Sequence, residues 1–374
     1  MNLIIFLLIN LIRGKMQSNK ANKVQLEGQK LMYHVHEVSA WLKGDTVAPI
    51  YIEIGPINSC NHRCSFCALD YLKSKGSAID KDVLIRTLKN MSEFGVKSIM
   101  FAGEGEPFLY GPLAEVIEKA KGFGLDIAIT TNGALFDEKK INAILKNLSW
   151  IKFSIDAGKK ETYAKIHGCK EEDFLKVISN IKLACEHRSK SGIDCAIGCQ
   201  MLLIPTNISE VEDLIIHIKN TGADYLVLKP YSQHPNSVNK LSLDLKKEDE
   251  HLSNLASKHS TDSFKVIYRK SSASEIYEKG IEYDICYGIN FFALIDALGN
   301  IIPCNIFYEK EEYYYGNIYK NTFKEIWSGE QRKAVVAKLY KQGCKECRKG
   351  CRMNFVNKYL HALKNRDVEH INFI

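Results

Sequence analysis

Between residues 50 and 228 short apolar or β-branched runs alternate with amphipathic helical patterns, and this alternation limits the fold more than any other feature. The runs fall at 50–54, 98–101, 127–131, 150–155, 197–204 and 225–228. Helical periodicity fills 80–94, 112–123, 137–147, 161–188 and 209–221. Asp80, Asp137 and Ser209 stand where N-caps belong, and Gly95, Gly124 and Gly222 where helices stop. Repeated β-then-α units require a parallel sheet with right-handed crossovers. Six such units make either a doubly wound open sheet or part of a barrel, and periodicity alone does not choose. In both, the loops at the C-terminal ends of the strands carry function.

The pattern divides the chain into four parts. An N-terminal extension covers 1–49, with a helical stretch over 30–42, and the core covers 50–240. A polar, Ser- and Lys-rich connection follows over 241–280, and a second composition fills 281–374, ending in a helix. With 45% hydrophobic and 25% charged residues the chain can bury a core without staples, so its metal sites serve chemistry. The net charge of +7 is spread along the chain with no long basic tract, so no nucleic-acid partner is expected. Residues 2–12 form a short apolar run followed by Arg13 and Lys15. The run is too short to span a membrane and lacks the marks of a signal peptide. It reads either as an interfacial helix, the one route to membrane contact, or as a start codon placed upstream of Met16.

Three of twelve cysteines crowd into 60–67 and three into 344–351, a spacing that favours metal binding over disulfides. Cys60, Cys64 and Cys67 form C-x3-C-x2-C directly after the first strand. Structural zinc sites use four protein ligands and C-x2-C pairs. Three thiolates on one short loop instead suit a [4Fe–4S] cluster with one iron left open.

This segment resembles the signature of the radical S-adenosylmethionine (SAM) superfamily, in which an aromatic residue, here Phe66, precedes the last cysteine. The resemblance implies a partial (β/α)6 TIM-like barrel whose open iron chelates the amino and carboxylate groups of SAM. One-electron reduction then yields a 5′-deoxyadenosyl radical that takes hydrogen from a substrate. Gly103-Glu104-Gly105-Glu106-Pro107 resembles the family's GGEP motif, with Gly105 and Glu106 aligned and Glu104 in place of its first glycine. Glu104 then either faces away from SAM or adds an acid near the substrate. Ser154 and Asp156, two apart on the fourth strand, share a face and resemble the ribose- and carboxylate-contacting pair. Gln200 on the fifth strand is placed to reach the ribose. Thr130 and Asn132 are further candidates for the same cavity, while Cys195 and Cys199 point outward as core residues.

Cys286 and Cys304, with Gly299 five residues before the latter, and Cys344-x2-Cys347-x3-Cys351 resemble a SPASM or twitch extension holding an auxiliary cluster. Cys286, Cys304, Cys344 and Cys347 match the single-cluster form, with Cys351 able to replace one of the last pair. Four cysteines of this kind also make a zinc site. Cys169 and Cys185 have no assigned partners.

The resemblance leaves three functions open. The first is hydrogen abstraction from a sugar, cyclitol or similar metabolite, leading to dehydrogenation or epimerisation. The polar residues Glu104, Lys152, Lys229, Tyr231 and His234 are suited to such a substrate. The second is peptide or protein modification or maturation, and the third a non-catalytic Fe–S scaffold. The family also implies an electron donor such as flavodoxin or ferredoxin, and oxygen-labile clusters imply a cytoplasmic home.

Overall fold

The computed structural model describes residues 28–73, 76–276, 281–366 and 369–373; the apolar run over 2–12 lies outside them. One ten-stranded sheet organises the chain. Strands β1 (Tyr51–Ile54), β2 (Ser98–Phe101), β3 (Asp126–Thr131), β4 (Trp150–Ser154), β5 (Ala196–Leu203) and β6 (Tyr225–Pro230) follow in parallel register, as the alternation predicts. A seventh parallel strand, β7 (Lys265–Tyr268), pairs with β6 from inside the segment read as a connection. At the other edge β8 (Phe292–Ile295) pairs parallel with β1, and β9 (Asn300–Ile302) and β10 (Gly316–Asn317) continue antiparallel. The C-terminal cysteine region is therefore built onto the barrel sheet.

Helices α1 (Val35–Leu42), α2 (Lys81–Phe94), α3 (Leu113–Gly122), α4 (Glu138–Ile144), α5 (Lys160–His167), α6 (Glu171–Ser191) and α7 (Val211–Lys219) accompany the first six strands. In α2 Asp80 accepts from the amides of Asp82 and Val83, and Leu84, Leu88 and Met91 face the sheet at 0% exposure. Asp137 caps α4 in the same way. Ser209 does not cap: it sits inside a 3-10 turn over Ile208–Glu210 that opens α7. The helix expected over 161–188 is two helices broken at Gly168, and the stretch over 30–42 divides into a 3-10 turn and α1.

Past β6 come α8 (Asp249–His259), α9 (Lys270–Ser274), α10 (Phe323–Ser328), α11 (Glu330–Gln342) and α12 (Asn354–Asn365). Trp327 of α10 is fully buried and donates Nε1–H to Val47 O at 2.7 Å. Among the described residues no helix is long and apolar enough to cross a membrane.

Strand alternation sorts the side chains. Odd positions of β4 and β5, among them Ile151, Phe153, Cys199 and Met201, pack under the helices at 0% exposure, and Cys195 reaches 1%. Even positions face the lumen. At its floor Tyr225 lies over Gly198, where a β-carbon would meet the ring at 2.0 Å. Met100, Ala102 and Ala128, packed by Tyr51 and Trp150, complete that floor.

Candidate active site

β1 leads into the first cysteine loop, and two neighbours grip that loop. The end of α5 offers carbonyls left free by helix geometry: Arg63 N–H donates to His167 O and Ser65 N–H to Ile166 O, each at 2.8 Å. Gly168, at φ +57°, ends the helix there, and a β-carbon on it would sit 2.7 Å from Arg63 O. From the opposite side Glu106 N–H donates to Ser59 O at 2.9 Å. Gly105 comes so near that a β-carbon would lie 2.3 Å from Ile57 O. This is the close backbone approach for which glycine is needed.

The Glu106 carboxylate, fully buried, accepts from Thr131 Oγ1 at 2.6 Å, Asn132 N at 2.9 Å and Phe108 N at 3.2 Å. Burial pushes its carboxyl above the ordinary value against the pull of these donors. Glu106 thus ties the end of β2 to the end of β3, and Asn132 Nδ2 passes the tie to Asn61 Oδ1 at 2.8 Å. Glu104 turns away from this loop and accepts from Ala297 N. Thr130 meets Met100 Sδ at 3.4 Å, on the lumen side.

Burial raises the Cys60 and Cys64 thiols, and each also feels Cys67. His62 N–H donates to Cys60 Sγ at 3.5 Å. His167, 1% exposed, places Nδ1 3.3 Å from Cys64 Sγ and Nε2 3.3 Å from Asp156 Oδ2. Phe66 stands edge-on to the His167 ring, and Tyr163 lies against it with centroids 4.1 Å apart. Asp156 itself is buried, its Oδ1 accepting from Leu202 N at 2.5 Å. Asp156 Oδ2 has no hydrogen-bond partner among the described residues, and Ser154 and Gln200, register partners on β4 and β5, are half-buried on the lumen face. Neither His62 nor His167 stood out in the sequence. His62 lies inside the cysteine motif, and His167 is marked only by preceding a helix-ending glycine.

The second set converges from three places: Cys286 before a turn over Tyr287–Asn290, Cys304 after β9, and Cys344, Cys347 and Cys351 between α11 and α12. Sulfur acceptors here have donors. Asn357 Nδ2 lies 3.4 Å from Cys286 Sγ and Met353 N 3.4 Å from Cys351 Sγ. Ile306 N–H serves Cys304, and the Cys344 and Cys347 sulfurs lie within hydrogen-bond reach of each other. Of the unassigned cysteines, Cys185 is buried in α6, and Cys169 gathers with His62 and Asp173.

Both sets suit a cluster better than one ion. Four thiolates around zinc lie about 3.8 Å apart, given Zn–S bonds of about 2.3 Å. Among the described residues, the groups of three candidate ligands within 4.8 Å of one another are His62 with Cys64 and His167, and His62 with Cys169 and Asp173. Neither cysteine set is drawn that tightly, so each leaves room for a larger guest. Backbone and side-chain donors to sulfur are also what cluster thiolates use.

Between the two sets the lumen is polar and basic. Glu53 on β1 and Lys152 on β4 face it, with Lys152 Nζ 3.3 Å from Gln200 Oε1. Lys229 stands on the same face of β6. Arg352 reaches in from beyond Cys351 to pair with Glu53, and Arg348 bonds Ser232 at 2.9 Å. Tyr231 donates to Gln233 at 3.2 Å and helps line a cavity of about 300 Å³ together with Cys347 and Arg348. His234 is fully buried against Tyr71 and lies outside the lumen lining.

The family model described as Radical SAM superfamily matches residues 54–218, and that of an iron-sulfur cluster-binding domain, SPASM, matches 286–352. A probable GTP 3′,8-cyclase of Methanothermobacter marburgensis is 26% identical over 219 residues, 58% of this chain and 70% of its own length. The chain spans 63% of a second cyclase of that name, from Saccharolobus islandicus, at 28% identity over 53% of this chain. The tungsten-containing aldehyde ferredoxin oxidoreductase cofactor-modifying protein of Pyrococcus furiosus is 22% identical over 75% of this chain and 81% of its own. Streptococcus suis SuiB bound to S-adenosylmethionine shares the fold, with a TM-score of 0.64 at 17% identity over 82% of this chain and 73% of SuiB. The chain belongs to the radical SAM superfamily, as an enzyme with a SPASM domain that uses S-adenosylmethionine, a [4Fe–4S] cluster and a second, auxiliary cluster.

Proposed function

We propose that Cys60, Cys64 and Cys67 hold the SAM-binding cluster and that the enzyme abstracts hydrogen from a small polar metabolite in the lumen. A sugar, a cyclitol or a related compound fits, with dehydrogenation or epimerisation as the outcome. The observation that carries this reading is the lumen, half-buried and lined by Ser154, Gln200, Lys152 and Lys229 between the two cysteine sets. The cyclase relatives act on GTP, itself a ribose-bearing metabolite.

When bound, the reduced cluster and S-adenosylmethionine supply the radical that takes the hydrogen atom. The chain's own residues position and protect. Gly105 lets the 103–107 loop lie against the cysteine loop, and Glu106 fixes the far end of that loop. Ser154 and Gln200 offer hydroxyl and amide groups to the cofactor's polar atoms. Asp156 acts through His167 as a positioning residue and Phe66 shields that ring, while the apolar floor closes the lumen from below.

Cys286, Cys304, Cys344 and Cys347 hold the auxiliary cluster, with Cys351 able to replace one of the last pair. Iron analysis of anaerobically reconstituted protein tests this. About eight irons per chain are expected in the wild type and in C351S, and about four in C344S; the reverse pattern makes Cys351 the ligand in place of Cys344.

The activity test is formation of 5′-deoxyadenosine by the reconstituted protein with SAM and dithionite. Its absence would overturn the enzyme reading for this chain. Turnover of a precursor peptide, with no sugar or cyclitol consumed, would replace the metabolite reading by peptide modification.

A further inference from the structure

We propose that His62, Cys169 and Asp173 form a separate site for one divalent transition-metal ion, zinc by its donor set, beside the first cysteine loop. The inference goes beyond the reading of the lumen and holds whatever substrate the lumen takes.

The backbone brings the three residues together. Arg63 N–H donates to His167 O at 2.8 Å, and Gly168, at φ +57°, packs against Arg63. His62 precedes that contact on the loop, and Cys169 follows it on the other segment. The chain then enters α6, where Asp173 stands in the first turn, four residues past Cys169. A ring nitrogen of His62, the Cys169 sulfur and a carboxylate oxygen of Asp173 all lie within 4.8 Å of one another.

His62 is the residue that points to a ligand. Its side chain is 1% exposed, and neither ring nitrogen has a hydrogen-bond partner among the described residues. Asp173 Oδ2 lies 3.7 Å from Nε2, beyond hydrogen-bond reach. Buried polar atoms are as a rule paired, so an orphaned imidazole among metal-ligating groups requires a partner. Tyr163 and His167 stand edge-on to the ring, with centroids 6.2 and 5.4 Å away, and fix its plane.

The donor set selects the ion. Imidazole nitrogen, thiolate sulfur and carboxylate oxygen are the ligands of zinc. Tetrahedral zinc at ordinary bond lengths holds such atoms about 3.3–3.6 Å apart. The His62–Asp173 pair is close to that spacing, and the remaining contraction falls to the half-buried Cys169 and Asp173 side chains. Cys169 Sγ lies 3.6 Å from Lys170 O and faces the Asp173 carboxylate, and zinc displaces its thiol proton to solvent. Water takes the fourth position from the solvent side, as in zinc sites with three protein ligands.

His62 also gathers with Cys64 and His167, but that group is no separate site. Cys64 belongs to the first cysteine set, and Nδ1 of His167 already meets its sulfur. An ion on Cys169 and Asp173 leaves all three loop thiols free and fastens the loop to the start of α6.

The probe is zinc alone, offered by equilibrium dialysis to anaerobically reconstituted holoenzyme, with iron measured in the same samples. One zinc per chain is expected beside an unchanged iron content. Its K-edge X-ray absorption should show one sulfur among nitrogen and oxygen neighbours. C169S and D173N should each weaken binding tenfold or more, C169S removing the sulfur signal, with melting curves confirming that both fold. Absence of zinc binding, or binding that neither variant weakens, overturns the inference. An all-sulfur shell in the wild type, or zinc gained as iron is lost, overturns it too, because the ion has then entered a cysteine set.

Discussion

At the scale of single residues the site divides into groups visible in the sequence and groups that only the fold assembles. Cys60, Cys64 and Cys67 were legible because all three thiols lie within eight positions. His167 was not, because it meets Cys64 across 103 residues through a helix end. We predict that His167→Phe makes the first cluster harder to reduce, since a hydrogen bond to a cluster thiolate favours the more negative reduced state. Loss of one such bond, about 1.4 kcal/mol, corresponds to about 60 mV for one electron. An EPR-monitored titration reads this directly, and an unchanged potential would leave His167 a packing residue only. Lys152 makes a second prediction. Glu53 on β1, Arg269 after β7, Arg352 from the C-terminal turn and Gln200 on β5 all face it. Its folded-state value of about 8 lies below the ordinary 10.5, so between these the unfolded chain holds more protons and stability rises with pH. Below pH 8 the penalty is complete. K152M is therefore expected to be more stable than wild type at pH 7, by about 1–2 kcal/mol after allowing for water in the lumen. The difference should shrink above pH 8 in paired denaturation curves and vanish past 10.5.

At the scale of elements, most strands and caps followed from periodicity because each obeys a local rule. Asp80 and Gly95 bracket α2 through contacts within the helix itself. Two elements escaped for physical reasons. β7 is four residues long, and among Lys265–Tyr268 only Val266 is fully buried, so its pattern is weak and pairing with β6 creates it. The break between α5 and α6 hides inside a continuous amphipathic pattern, because Gly168 stops the helix in order to meet the cysteine loop. There a left-handed backbone and a close contact with Arg63 coincide. Gly168→Ala is accordingly expected to cost at least 1–2 kcal/mol from the backbone alone, more if Arg63 cannot move. Its signature is local: a lower melting temperature, with iron lost first from the Cys60 set and the auxiliary iron retained. Equal loss from both sites would show that α5 does not hold the loop.

At the scale of the whole molecule, the composition shift near 281 marks a change of cofactor without a break in the sheet. β1 lies between β2 and β8, so the strand that feeds the first cysteine loop is half supported by the C-terminal region. Phe292, Leu294 and Ile302 pack there with Leu69, Leu72 and Tyr308, against Tyr51 and Cys67. Truncation at 281 would expose one edge of β1 and open this cluster to water, conditions that favour aggregation. Removing the auxiliary metal site alone leaves the sheet and its packing in place. These two perturbations should therefore differ sharply. The chain ending at 281 is expected to be insoluble or to melt without cooperativity. The variant C286S/C304S/C344S/C347S should keep a cooperative transition and still load about four irons at the first site. A truncated core that melts like the full chain would mean that β8 supports nothing upstream. Failure of the serine variant to fold would mean that the auxiliary cluster is a structural staple, against the expectation that a core of this size needs none.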